Sequence, residues 1–518
     1  MKRYRALSGM IGAGVALAVT EIPSAFAGGP SLVVAVGSRF IDRTAGSLRG
    51  PAVALFGTND KPALVVGVIV ISLAVGAWLG HAAGRRFRVA VAGFAAFAAV
   101  GLVASAADPQ ANMAAAVIAA LLGASAGVAT LGALLLAAPS LGTVAAAVAD
   151  DTASSVAPLR NPAEHGGSRR QFFYWAGGAS AAALGTTFVS RVARSSTSVA
   201  SAREAVTLPA PKSRIPIPDS QTLVAPGLSP YVTPNADFYR IDTALLVPQV
   251  RVAGWKLSIA GKVSNPFSLT YDELLAMDMV EEPVTLQCVS NEIGGPLVGN
   301  AVWQGVPLKA LLDRAGVQAG GEQIVGRSVD GFTAGFPTAV GLDGRTALVA
   351  VAMNGEPLPV VHGFPARLVV AGLYGYVSAT KWLKSIELTG MDFDGYWIPR
   401  GWSKEAPIKT MARIDTPISY RFVDAGRIPI AGVAWAPTRG IAKVEVQIDN
   451  GEWLPARLGT VASSNTWVQW LVEWNATKGS HTVRVRATDG GGETQTAETS
   501  APDPDGATGY HTITVNVR

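Results

Sequence analysis

The sequence predicts a multi-domain protein: an α-helical transmembrane anchor, then an α+β domain, then an all-β immunoglobulin-like sandwich. Three observations carry this expectation. Only 15% of the 518 residues are charged and the mean hydropathy is +0.31. Soluble domains carry roughly 25% charged residues, so part of this chain is solvated by something other than water. The apolar excess lies before residue 190, and the remainder reads as ordinary globular sequence. From about Pro429 the pattern turns to short alternating strands separated by turn residues. The length leaves room for about three domains. The composition excludes disordered, collagen-like and disulfide-scaffold classes. A net charge of +5 without a basic stripe argues against a nucleic-acid partner. The single cysteine, Cys288, excludes an intrachain disulfide, a Cys-rich zinc site and a Cys-ligated iron–sulfur cluster.

Residues 1–190 form the membrane region, with about five transmembrane helices. Four apolar runs, 6–27, 63–84, 89–107 and 111–138, have the length that crosses a hydrocarbon core. A fifth, 172–189, is shorter and Ala/Gly-rich. Between the first two runs lie Arg39, Asp42, Arg43, Arg49 and Pro51. Desolvating those charges is costly, which keeps residues 31–60 at the outer surface. If all five runs cross, three basic clusters share one side: Lys2, Arg3 and Arg5; Arg85, Arg86 and Arg88; Arg160, Arg169 and Arg170. The positive-inside rule makes that side cytoplasmic. The N-terminus is then cytoplasmic, and everything after about Arg191 lies outside the cell membrane. Residues 168–173 also resemble a twin-arginine export signal; the dipeptide alone favours positive-inside flanks of an ordinary membrane helix, and a cofactor inserted before export would favour the signal.

Residues 191–231 are a Ser-rich, then Pro-rich linker, and the prolines of this stretch continue to Pro234. Such composition favours extended polyproline geometry and predicts a tether. The α+β domain follows over 232–410, with strands expected at 255–261 and 366–371 and helices at 270–277 and 307–315. Residues 411–518 carry the sandwich, with strands at Ile441–Ile448, 466–474, 482–487 and His511–Val517. With no cysteine pair to pin the two sheets, the core is expected to rest on packing that includes Trp435, Trp453, Trp467, Trp470 and Trp474.

A lone cysteine is most often a buried core residue. Cys288 is set apart because it ends a β-like run, opens the Gly-rich loop 293–299, and lies on the outer side of the membrane. Downstream sit His362-Gly363-Phe364-Pro365-Ala366-Arg367 and Ser378-Ala379-Thr380-Lys381-Trp382, a cluster suited to an anionic cofactor.

Gln287-Cys288 with Asn291, the 362–367 motif and Lys381-Trp382-Leu383 together resemble the sulfite oxidase family of molybdopterin-dependent oxidoreductases. The resemblance covers about 232–518. It makes 232–410 the sulfite-oxidase-type molybdopterin domain and 411–518 that family's dimerisation domain, which implies a homodimer. It implies a molybdenum–molybdopterin cofactor whose one protein ligand is Cys288, since a soft thiolate suits a metal held by dithiolene sulfurs. The pterin phosphate calls for fixed cations, which the resemblance assigns to Arg367 and Lys381. His362 adds a hydrogen bond, and Ser378 adds a hydroxyl or backbone N–H. Tyr239 and Arg240 match the family's cofactor segment, with Arg240 also a catalytic candidate beside Cys288, and Thr333 is a looser match. Asn354-Gly355-Glu356-Pro357 reads as a turn that orients the later motif, and Asp242 reads as a structural acceptor or as part of the site.

This chain departs from sulfite-oxidising members at Ile241, where they place an arginine, and at Phe332, where they place a tyrosine near the metal. It also has Val370-Ala371-Gly372 in place of the family's usual proline, and one extra residue between Ser378 and Lys381. The implied reaction is a two-electron oxygen-atom transfer on a small or peptide-borne substrate, either a sulfite-like oxyanion or a sulfoxide. No Cys-x-x-Cys-His occurs, and His81 is the one histidine in the spans. No haem is therefore expected, and electrons are expected to be exchanged with a separate cytochrome or quinone-linked carrier. The alternative is a non-catalytic membrane-anchored receptor in which Cys288 is structural.

Overall fold

The computed structural model describes residues 2–44, 55, 60–138, 168–196, 198–218 and 223–518. Arg49, Pro51, Arg160 and His165 lie outside the described residues. The chain divides into two compact units, residues 1–198 with 244–249, and residues 199–243 with 250–518.

The first unit is helical: α1 (Lys2–Ala27), α2 (Leu32–Thr44), α3 (Asp60–Ala83), α4 (Phe87–Ala106), α5 (Met113–Ala137) and α6 (Arg169–Ser196). Helices α1, α3, α4 and α5 are long and apolar enough to cross a membrane, and they coincide with the first four apolar runs. The fifth run lies within α6. The described part of the stretch 31–60 contains the short helix α2. Small residues let the long helices touch at backbone distance. A Cβ on Gly9 of α1 would lie 2.0 Å from the Gly76 carbonyl oxygen of α3. Helices α1 and α6 run parallel. The rings of Tyr4 and Phe172 meet edge-on at 4.9 Å near their first residues, and Glu21 pairs with Arg194 at 2.7 Å near their last.

The second unit opens with α7 (Ala200–Glu204) and β1 (Ser213–Arg214), then β2 (Lys256–Gly261), β3 (Phe267–Thr270), α8 (Tyr271–Leu275), β4 (Val280–Gln287), β5 (Val298–Pro307) and α9 (Leu308–Ala315). It continues with β6 (Gln323–Ser328), β7 (Thr333–Pro337), α10 (Thr338–Leu342), β8 (Ala347–Met353), β9 (Glu356–Pro357), β10 (Arg367–Val370), α11 (Gly375–Ser378) and β11 (Leu383–Thr389). One sheet has the order β1-β4-β5-β8-β10, with β9 on β8, and the other has the order β3-β2-β11-β6-β7. Strand β8 is buried at every residue, which is why its sequence is a continuous apolar run rather than an alternation. Helix α8 begins with a complete capping box between Thr270 and Glu273.

The remaining strands are β12 (Met411–Thr416), β13 (Phe422–Val423), β14 (Gly426–Trp435), β15 (Ile441–Ile448), β16 (Trp453–Pro455), β17 (Arg457–Leu458), β18 (Val468–Ala476), β19 (Gly479–Asp489) and β20 (His511–Val517). They make two further sheets, β12-β14-β18-β17 and β13-β20-β19-β15-β16. Val444 and Val446 of β15, Val483 and Val485 of β19, and Val515 of β20 alternate into a core shared with Ile430 and Trp470 of the facing sheet.

Two expectations change. The Ser/Pro-rich stretch is not a free tether along its described length. Strand β1 pairs with β4 in parallel, Pro209 accepts a hydrogen bond from Gln304 at 2.6 Å, and Tyr231 is buried. Its apolar and carbonyl groups find partners on the α+β domain, so the chain is held there. The five tryptophans also do not share one core. Trp470 and Trp474 lie between the two C-terminal sheets, while Trp435 and Trp467 join the core that continues into the α+β domain. Trp453 sits at the surface, edge-on to Tyr510 and under Arg486.

Candidate active site

Strand β4 delivers Cys288 to the mouth of a tight loop. The Cys288 N–H donates to the Leu297 carbonyl at 3.0 Å, Leu297 N–H donates to Asn291 Oδ1 at 2.7 Å, and Asn291 N–H returns to the Cys288 carbonyl at 3.0 Å. The thiol is buried, with Sγ 3.0 Å from Ser290 Oγ. Asn291 Nδ2 is also buried and lacks a hydrogen-bond partner among the described residues. An orphaned buried donor is costly in a finished core.

On the other side lies the 362–367 motif. Arg367 opens β10 with its side chain inward, at 4% exposure. Its guanidinium donates to the carbonyls of Leu368 and His362 and lies 4.9 Å from the Trp303 ring centroid. No carboxylate pairs with it among the described residues. Burial lowers its pKa to about 10. His362, 3% exposed, sets Nε2 3.1 Å from the Asn235 carbonyl, and burial followed by the Arg367 charge pulls its pKa down to about 4. It is therefore neutral at pH 7, and its ring packs edge-on to Phe238.

Tyr239 bridges the two sides. Burial foremost, and then the Cys288 charge, push its phenol well above the ordinary tyrosine range, with Arg367 opposing. The ring stacks on Phe238 at 5.1 Å. A Cβ on Gly375 would be 3.8 Å from the Gln287 carbonyl and 4.0 Å from the Tyr239 hydroxyl, so the cysteine strand, the 234–240 segment and α11 surround one space.

Lys381 forms the third cation. Its Nζ donates to Asp242 Oδ2 at 2.9 Å and lies 4.6 Å from the Trp382 ring centroid. Burial lowers its pKa to about 8 against the raising effect of Asp242, which leaves it mostly protonated at neutral pH. Arg240, 39% exposed along its side chain, reaches the same Asp242 oxygen at 2.9 Å. Asp242 thus joins Arg240 and Lys381 and belongs to the site. Asp330 stands nearby with its pKa raised, chiefly by burial.

Ser378 and Thr333 both make backbone contacts. Ser378 is fully buried, and its hydroxyl donates to the Tyr374 carbonyl at 3.1 Å, which commits the hydroxyl proton to the local turn. Thr333 lies half-buried at the start of β7, with its carbonyl accepting from Tyr396 N–H at 2.9 Å. Sequence reasoning missed the role of Trp303, whose indole face carries Arg367, because no local motif marks it. It also missed the reach of Asn354. This residue adopts a φ of 53° in the expected turn, and its side chain donates to Thr233 and Asn235, which fixes the segment that leads into Tyr239.

Among the described residues no group of three His, Cys, Asp or Glu is arranged to hold a metal. Cys288 is thus one soft donor facing a set of buried cations, an unpaired guanidinium and an orphaned amide. That donor set fits a metal carried on a sulfur-bearing, anionic organic group.

A family model described as "Oxidoreductase molybdopterin binding domain" matches residues 244–397. The uncharacterized oxidoreductase YuiH of Bacillus subtilis is 34% identical over 148 residues, which is 29% of this chain and 72% of that protein. The mitochondrial sulfite oxidase of Homo sapiens is 28% identical over 271 residues, 44% of this chain and 49% of that protein. The NADH nitrate reductase of Solanum lycopersicum is 31% identical over 178 residues, 29% of this chain and 19% of that protein. The chain thus spans half or less of the length of the last two relatives. Among solved structures, the sulfane dehydrogenase SoxCD of Paracoccus pantotrophus is similar at TM-score 0.49 and 22% identity, covering 56% of this chain and 84% of that one.

Proposed function

The chain belongs to the sulfite oxidase family of molybdopterin-dependent oxidoreductases, and on that premise we propose that it is a membrane-anchored enzyme whose C-terminal part works outside the cytoplasm. Its reaction is a two-electron oxygen-atom transfer on a small or peptide-borne substrate. The observation that carries this reading is Arg367, a buried guanidinium without a carboxylate in the same site as the one thiol. An isolated buried charge costs several kcal/mol, and a bound phosphate offsets that cost. The receptor alternative leaves Arg367 without any counter-charge.

When bound, molybdenum–molybdopterin supplies the redox couple and the oxygen-atom exchange. Cys288 would be the protein's ligand to the metal. Arg367 and Lys381 would neutralise the phosphate, and Asp242 holds Lys381 and Arg240 in place. Neutral His362 fixes the 234–240 segment through Asn235, and the raised pKa of Tyr239 keeps its phenol protonated as a donor. Phe332 and Ile241 stand where sulfite-oxidising members place a tyrosine and an arginine that stabilise a small oxyanion. A sulfoxide therefore suits the site as well as sulfite does.

Membrane anchoring is supported by four helices of crossing length and by the parallel pairing of α1 with α6. That pairing is what an odd number of crossings requires, and the cytoplasmic side is assigned from the basic clusters alone. The two C-terminal sheets are taken as the immunoglobulin-like dimerisation domain, and the redox partner as a separate cytochrome or quinone-linked carrier. Metal analysis of the full chain from a cofactor-competent host tests the proposal. About one molybdenum per chain is expected, and none would return the chain to a binding role.

A further inference from the structure

The two C-terminal sheets grip the strand and loop around Cys288 from both sides. On the near side, Gln287 Oε1 accepts from Trp435 Nε1 at 2.8 Å, and Gln287 Nε2 lies 3.5 Å from Met411 Sδ. Two residues earlier, Thr285 N–H donates to the Asn465 carbonyl at 2.9 Å, and its Oγ1 accepts from Trp467 N–H at 2.8 Å. On the far side, the Gly295 carbonyl accepts from Arg413 Nη1 at 3.1 Å. Arg413 is itself fixed by Asp415 at 2.7 Å and by Ser229 at 3.0 Å.

His511 completes the grip. Its Nδ1 accepts from Ile414 N–H at 2.9 Å, so the proton of the neutral ring sits on Nε2. A Cβ on Gly294 would lie 2.2 Å from that Nε2, and Gly294 has a φ of +73°. Only glycine meets both demands. The approach continues along the chain before β20. A Cβ on Gly509 would be 2.8 Å from Ile293 Cδ1, and a Cβ on Gly506 would be 2.3 Å from the Tyr374 hydroxyl.

We propose that the C-terminal domain is a positioning device for the metal ligand: Arg413 and His511, with Trp435 behind Gln287, set where the Cys288 sulfur points. This rests on reading Cys288 as the ligand. The loop is cross-tied by Asn291 and Leu297, so a shift of Gly294 or Gly295 carries to Cys288 rather than dissipating. Close-packed interfaces transmit such shifts.

The chain has one thiol, so alkylation reads Cys288 alone. In the metal-free full chain in detergent, Arg413→Ala and His511→Ala should each raise the iodoacetamide rate by about tenfold or more through local opening of the loop. In the loaded chain both should change the Mo(V) electron paramagnetic resonance g-values. Val515→Ala, in the sheet core of the same strand as His511, is the control for general loosening and should leave both readings near wild type. If His511→Ala does not fold, Trp435→Phe, which loses the indole donor to Gln287 together with some core volume, takes its place beside the same Val515→Ala control. An unchanged rate, an equal rise in Val515→Ala, or unchanged g-values at full metal content would overturn the proposal. The alkylation rate does not involve the metal. A wild-type Mo(V) signal in Cys288→Ser would instead overturn the ligand assignment beneath it.

Discussion

The guanidinium of Arg367 rests 4.9 Å from the centroid of the Trp303 ring, and an aromatic face takes the place of a carboxylate in holding it. A cation–π contact compensates part of the desolvation of a buried charge, but the remainder stays unpaid until an anion arrives. Arg367 thus serves function rather than the stability of the fold.

Replacing Arg367 by methionine separates those two roles. Buried charges replaced by apolar groups of similar volume leave stability unchanged or raise it by about 1–4 kcal/mol. The metal-free Arg367→Met chain should therefore unfold in urea no earlier than wild type, while its molybdenum content falls by about tenfold or more. A destabilised variant that keeps its metal would contradict the anion-site reading.

Acid stability follows from two histidines. Burial draws His362 and His511 from 6.5 down to about 4. Both favour the neutral ring in the fold, so their stabilising effect is complete above pH 6.5 and is lost as pH falls to about 4. Each is worth about 3 kcal/mol at most across that window. The urea midpoint of the metal-free chain should stay level from pH 8 to pH 6.5 and then fall steeply. His362→Asn should remove about half of that fall, and an unaltered profile in this variant would contradict the burial argument.

Asp242 holds two cations with one carboxylate. Asp242→Asn leaves Arg240 and Lys381 without their counter-charge beside Arg367, a loss of about 3–5 kcal/mol for a broken buried pair. Lys381, already drawn down to about 8 by burial, should lose its proton more readily. Faster acetylation of Lys381 in the variant at pH 7, read by peptide mass spectrometry, is the expected outcome, and an unchanged rate would contradict it.

Much of this was legible in the sequence, for identifiable reasons. The first four apolar runs match their helices within a few residues, because membrane length and apolarity leave a helix few alternatives. Ile441–Ile448 and His511–Val517 are the strands expected from strict alternation. Cys288, His362, Arg367 and Lys381 were visible because each belongs to a local motif. Trp303 was not, since its role depends on β5 and β10 being brought to either side of β8 in one sheet. The hold of the 199–231 stretch on the α+β domain was hidden for a related reason. Proline-rich composition describes a free chain, whereas β1 pairs with a strand more than sixty residues later. The grip of Arg413 and His511 on Gly294 and Gly295 likewise joins residues far apart in sequence.

The arginine pair that opens α6 has its own test. Folding around a cofactor before export requires a translocation route for folded proteins, and Arg169→Lys with Arg170→Lys keeps the charge while removing the twin-arginine pattern. Protease protection of the C-terminal part in spheroplasts of the double variant is the expected result. Wild-type accessibility would leave these arginines as topology determinants alone.

Substitution of the one thiol tests the central claim most directly. Serine matches cysteine in size but offers a harder oxygen donor, so Cys288→Ser should fold within about 1–2 kcal/mol of wild type. Arg367 and Lys381 remain to hold the phosphate, so part of the molybdenum content should persist. The measurement is the Mo(V) electron paramagnetic resonance spectrum of that loaded variant. Altered g-values with turnover abolished are the predicted result. A wild-type spectrum with full turnover would show Cys288 to be a buried core residue and would contradict the account.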